Sequence, residues 1–149
     1  MTMDTVIQIL LVEDDEIDAR AIKRGLAKQS IGNRLTHALD GVEALKILRG
    51  EGGHSRLPRP YIILLDINMP RMNGLEFLAE IRKDPELKPS IVFVLTTSDD
   101  DRDKVAAYGN NVAGYLVKSD AGQDFIKVVQ MLEKFVIAIH FPPDVPVEV

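Results

Sequence analysis

Four apolar runs in this sequence end on groups that could do chemistry. "ILLVEDD" closes on Glu13, Asp14 and Asp15, "YIILLD" on Asp66, "IVFVLTTS" on Thr96, Thr97 and Ser98, and "GYLVK" on Lys118. Clustered carboxylates repel one another unless a cation neutralises them, and an all-oxygen set without His or Cys selects a hard ion such as Mg²⁺. A carboxylate beside such an ion, with a lysine and a hydroxyl opposite, is suited to handling phosphate. Asp66 is the candidate nucleophile, because a carboxylate can form an acyl phosphate.

For these groups to act together, the elements that carry them must share one edge. The segments Val6 to Val12, Tyr61 to Leu65, Ile91 to Leu95 and Val112 to Val117 are short, rich in Ile, Val and Leu, and not alternating, as suits strands covered on both faces of a parallel sheet. Arg34 to Leu39 is weaker and reads as an edge strand. Between the strands lie stretches with helical spacing: Ile17, Ala21, Ile22 and Leu26; Val42, Leu45 and Leu48; Leu75, Leu78 and Ile81. A broad stripe from Phe125 to Ile139 predicts a last helix. This alternation predicts a single α/β domain with a doubly wound parallel sheet and right-handed crossovers. Parallel strands deliver their C-terminal ends to one edge, where ligands bind.

Composition narrows the function. The chain has 149 residues, enough for one domain, with 46% hydrophobic residues, no cysteine and a formal net charge of −5. That charge argues against nucleic acid as a direct partner, since binding a phosphate backbone needs a basic surface. Apolar runs such as Phe135 to Ile139 fall far short of the roughly 20 residues of a spanning helix, so no membrane segment is expected. "MTMDTV" has no secretory character, and a chain without cysteines suits a reducing cytoplasm.

"ILLVEDDEID", "LLDINMPRMNGLEFL", "VLTTS" and "GYLVKS", in this order and at these separations, resemble the receiver domains of bacterial two-component response regulators. The resemblance runs from about residue 7 to 138. It implies a five-stranded flavodoxin-like sheet of order 2-1-3-4-5 with helices on both faces. It also implies that Glu13, Asp14 and Asp66 hold Mg²⁺ together with the backbone carbonyl of Asn68. Asp66 would accept a phosphoryl group from a sensor histidine kinase or phosphotransfer protein. Thr96 and Lys118 would contact that group, and Tyr115 would be the aromatic that changes rotamer when Thr96 is drawn inward. Such a protein is a phosphoacceptor switch with self-catalysed transfer and slow autodephosphorylation. The small regulators that pair with phytochrome are of this stand-alone kind.

Other readings compete at several positions. Asp14 and Asp15 equally suit a helix N-terminus, where acids cap free N–H groups. Asp99, Asp100 and Asp101 read as an exposed helix start, Met69 and Met72 as loop packing, and His37, His54 and His140 as structural. Gly74 is expected to relax the turn before the third helix, and Gly50 to Pro60 to be a flexible connection. The family pattern places a cis proline after the lysine, whereas Ser119 follows Lys118, which leaves that peptide's isomer open. A haloacid dehalogenase-type phosphatase is the alternative function, but the acid it uses two residues after its nucleophile is here Asn68. Residues 1–138 are expected to form the receiver and 139–149 a tail, with no separate output domain. "FVIAIHF" makes the last helix apolar nearly all round at its end, which predicts a homodimer through that helix and the tail.

Overall fold

Strands buried on both faces need a helix layer on each side, and the sequence supplies both. A computed structural model describes residues 7–28, 34–67, 69, 72–96, 112–118, 127, 130 and 131. Its elements run β1 (Gln8–Val12), α1 (Glu16–Ala27), β2 (Leu35–Ala38), α2 (Gly41–Arg49), β3 (Tyr61–Asp66), α3 (Gly74–Lys83), β4 (Ile91–Thr96) and β5 (Gly114–Val117). All pairings are parallel and the order is β2-β1-β3-β4-β5, as expected, with the short β2 at an edge. The stripe from Phe125 to Ile139, apart from residues 127, 130 and 131, lies outside the described residues, as do Asn68, Thr97, Ser98, Asp99 to Asp101, Ser119, His140 and the tail.

Side chains of a strand alternate between faces, and here the alternation sorts the core into two layers. Leu10, Val12, Ile63, Leu65, Val92 and Val94 pack with Ala44, Leu45 and Leu48 of α2 and Phe77, Leu78 and Ile81 of α3. Ile9, Leu11, Ile62, Leu64, Leu95 and Leu116 pack with Ala19, Ile22 and Leu26 of α1. The expected face of α1 is therefore rotated. Ile22 and Leu26 are buried as predicted, but Ala19 is the third core position, Ala21 is exposed and Ile17 is 78% exposed.

Two connections differ from expectation. The segment from Gly50 to Pro60 has no regular structure, yet it is tied down: Leu57 is buried and its N–H donates to the Ile47 carbonyl. Gly50 has φ +71, the left-handed cap that glycine supplies at a helix end. Gly74 matters for space and not for backbone freedom. A Cβ there would lie 2.7 Å from both the Asp66 carbonyl oxygen and Ile67 Cα. Met69 is buried and Met72 packs against the same layer, as loop packing predicts.

The close approach at Gly74 fixes the end of β3, since its N–H also donates to the Ile67 carbonyl at 2.8 Å. Gly74→Ala must displace backbone and not a side-chain tip. We expect it to destabilise by about 1–3 kcal/mol from overpacking, more than the up to ~1 kcal/mol that alanine gains over glycine in helix propensity. Urea unfolding checks this, and an unchanged midpoint would show that the loop yields freely.

Candidate functional site

The strand faces dictate who meets whom at the C-terminal edge. Glu13 continues the face of Ile9 and Leu11, Asp66 that of Ile62 and Leu64, and Lys118 that of Leu116, so all three fall on the side covered by α1. Thr96 continues the face of Val92 and Val94, on the side of α2 and α3, and Tyr115 packs against that layer. The site therefore straddles the sheet, with charge on one side and a hydroxyl and an aromatic ring on the other.

On the charged side, Glu13 is completely buried, Asp66 is 3% exposed and Asp14 is more accessible. One carboxylate oxygen from each lies within 4.8 Å of the others. Asp15, the fourth acid of the strand-end set, plays a different part. Its Oδ1 accepts from the N–H groups of Ile17 at 2.8 Å and Asp18 at 3.0 Å and so caps α1. Capping, open to either acid in the sequence, thus falls to Asp15, while Asp14 lies beside Glu13 and Asp66. Glu13 is held on two sides. Its Oε2 accepts from the Asp15 N–H at 3.2 Å, and its carbonyl oxygen lies 2.7 Å from Nε2 of His37, which gives that histidine the structural part expected of it.

Lys118 closes the cluster. Its backbone N–H donates to the Thr96 carbonyl at 2.9 Å, which aims the side chain across the strand ends. The ammonium lies 2.8 Å from Asp18 Oδ2, 3.0 Å from Glu13 Oε1 and 3.5 Å from Asp66 Oδ2. Burial alone would lower its pKa, but the hydrogen bond to Asp18, the close Glu13 carboxylate and the charge of Asp66 outweigh this and raise it. Glu13 is pushed up to about 8, first by burial and then by its hydrogen bond to Asp66 and that residue's charge, with Lys118 opposing. Thr96 is 2% exposed, and among the described residues its hydroxyl makes only a long contact of 3.5 Å to the Leu116 carbonyl.

Asp18 is the residue that the sequence reading missed. It stands in the first turn of α1, where an acid is ordinarily credited to the helix dipole. Only the packing of α1 over the charged side brings it to a lysine 100 positions away. The faint signal was the repeat of acids in "EDDEID", with Asp18 one turn beyond Asp14.

The residues fit a hard divalent cation. Glu13 Oε1 is buried and accepts no well-aligned hydrogen bond, although the Lys118 ammonium is near. Glu13, Asp14 and Asp66 converge there as an all-carboxylate set, with no nitrogen or sulfur ligand among the described residues. Asn68 lies outside the described residues, so its carbonyl stays an expectation.

Known proteins resemble this chain along most of its length. The family described as response regulator receiver domain matches residues 9–130. The response regulator Rcp1 of Synechocystis is 42% identical over 127 residues, which cover 85% of this chain and 86% of Rcp1. Among solved structures, the phosphorylated cyanobacterial phytochrome response regulator RcpA superposes with a TM-score of 0.70 at 38% identity, covering 91% of this chain and 97% of that one. The Mn²⁺-bound form of Rcp1 gives 0.69 at 40% identity, covering 93% and 99%.

A pH dependence follows from Glu13. Its raised pKa means that the folded protein retains a proton between pH 4.5 and about 8 that the unfolded chain has lost. Stability contributed by this group is therefore lost as pH rises through that window. In chelator, the stability difference between wild type and Glu13→Gln should shift against the wild type from pH 5 to 8, measured by urea unfolding. Adding divalent cation should oppose that trend, because ligation selects the ionised carboxylate. A difference that does not change with pH in chelator would refute the coupling.

Proposed function

The chain belongs to the response regulator receiver domain family, and on that premise we propose that it is a switch charged at Asp66 by a sensor histidine kinase or phosphotransfer protein. The observation that carries the assignment is a carboxylate buried at the end of β3, with Glu13 beside it and the Lys118 ammonium 3.5 Å away. An Asp66 oxygen attacks the phosphorus of a phosphohistidine, the phosphorus–nitrogen bond breaks, the imidazole leaves, and an acyl phosphate forms. Glu13, Asp14, Asp66 and the Asn68 carbonyl would hold Mg²⁺, which supplies positive charge against the phosphoryl oxygens when bound.

Lys118 then provides a fixed counter-charge and Thr96 a hydroxyl donor. Drawing the Thr96 hydroxyl toward the phosphoryl group removes its weak contact to β5 and leaves room for Tyr115 to change rotamer. Membership of this family displaces the dehalogenase-type phosphatase alternative. Transfer is self-catalysed and autodephosphorylation slow in this reading, because the place of a second acid two residues on is Asn68. Similarity to a cyanobacterial phytochrome response regulator supports a phytochrome-type kinase as donor and a receiver that acts on its own, and a sequence without cysteine suits the cytoplasm.

Acetyl phosphate with Mg²⁺ should add one acid-stable, base-labile phosphoryl group, and Asp66→Asn should abolish it, because an amide is not a competent nucleophile. Mass spectrometry of the two proteins reads this directly. Label on another residue of the Asp66→Asn variant would refute the assignment.

We further propose a homodimer through the last helix and tail. The apolar stretch "FVIAIHF" supports it, as does Met131, 53% exposed on that helix. Light scattering at tens of micromolar, with and without a phosphoryl mimic, should give twice the chain mass in at least one state; a monomer in both would exclude the dimer.

A further inference from the structure

We propose that Asp18 is a latch: it holds the Lys118 ammonium in the resting state and must release it when Asp66 is phosphorylated, so it sets the threshold of the switch. This inference rests on the phosphoacceptor reading of Asp66.

Geometry is the first argument. Of the three carboxylates around the ammonium among the described residues, Asp18 is the nearest at 2.8 Å, and it accepts a well-formed hydrogen bond. Asp66, the group that Lys118 must serve, is the farthest at 3.5 Å. The resting lysine is thus drawn toward α1 and away from the reacting oxygen. An ammonium has three donors, so it can lean on Asp18 and Glu13 without letting go of the cluster. A divalent cation held by the acid cluster would neutralise Glu13 and Asp66 in part. Asp18 is then the carboxylate with the most charge left to offer Lys118.

The capping of α1 is an independent second argument. Asp18 stands at the third position of the helix, where an acid usually reaches back to the N–H of the capping residue and closes a reciprocal box. In α3 that box is complete: Asn73 accepts from the Glu76 N–H at 2.9 Å, and Glu76 accepts from the Asn73 N–H at 3.2 Å. In α1 only one half is made. Asp15 accepts from the Asp18 N–H, but the Asp15 N–H donates to Glu13 Oε2 and not to Asp18. By taking that donor, Glu13 leaves the Asp18 carboxylate to Lys118. The same acid that belongs to the metal cluster therefore arms the latch.

A bound phosphoryl group carries three acceptor oxygens and up to two negative charges. It outcompetes a single carboxylate that is 38% exposed in its side chain and partly screened by water. Asp18 acts through Lys118 and touches no reacting atom, so it is a positioning residue. Its effect must be modest, because partly exposed ion pairs are weak. Removing it should raise the initial rate of phosphorylation by acetyl phosphate about two- to fivefold, the range such pairs are worth.

Two measurements on the full chain with Mg²⁺ decide the matter. The first is the phosphorylation rate of wild type, Asp18→Asn and Asp18→Ala. The latch predicts faster labelling of both variants, whereas loss of helix stability alone would lower the melting temperature without accelerating the reaction. The second is the ¹⁵N signal of the Lys118 ammonium. It should differ between wild type and Asp18→Asn before phosphorylation and coincide after it, when the lysine has moved to the phosphoryl oxygens. Equal rates, or an ammonium signal that still senses Asp18 in the phosphorylated protein, would overturn the latch while leaving Asp66 as acceptor. A wild type that takes no label would overturn both readings together.

Discussion

Two carboxylates buried side by side are the constraint around which this molecule is arranged. Glu13 and Asp66 end adjacent central strands, so the sheet order that gives the core its two layers also forces like charges together. Like charges buried together need compensation, and three remedies are open to this site. Burial and the neighbouring Asp66 push the Glu13 pKa up, which favours a proton there, and the Lys118 ammonium reaches over from β5. A divalent cation would be the third. Stripping the partner from a buried ion pair costs about 3–5 kcal/mol in general, a large part of the ~5–15 kcal/mol that holds a domain folded. The site is tolerable because the three remedies can substitute for one another, and exchange among them is what a switch requires.

The sequence displayed the strand ends clearly, because long Ile, Val and Leu runs that stop on an acid, a hydroxyl or an ammonium seldom arise by packing alone. Asp66 sits at the last position of its strand and still inside the protein, which periodicity could not decide. Helix phase was less legible. Ile17 is apolar and stands four residues before Ala21, yet it is exposed, while the small Ala19 carries the contact to the sheet. Small residues give a weak periodic signal, and that error hid Asp18. An acid one position from a supposed core residue looked like helix decoration. Its pairing with Lys118 depends on how α1 lies across the strand ends, a tertiary fact with no local counterpart. Gly74 was noticed for a wrong reason: the turn needs its missing side chain, not its freedom.

The opposite end of the sheet is held in a different way. Tyr61 and Ser90 share a buried hydroxyl hydrogen bond of 2.7 Å, Arg82 donates to the carbonyls of Lys88 and Ser90, and Arg59 donates to that of Glu86. These bonds satisfy loop carbonyls where β3 and β4 begin. They give the strands a fixed origin, against which a change at the far end can be registered.

The division of the site across the sheet also limits how this chain can evolve. The partition between the charged side and the Thr96 side is one residue thick, and which side a group occupies is decided by odd or even position along its strand. Deleting a single residue inside β3 would carry the Asp66 carboxylate toward α2 and α3, away from Glu13 and Lys118, although every element could still form. Lineages can therefore exchange one apolar residue for another in these strands with little loss. They cannot gain or lose a single position there without taking the machine apart, and variation in length is left to the loops.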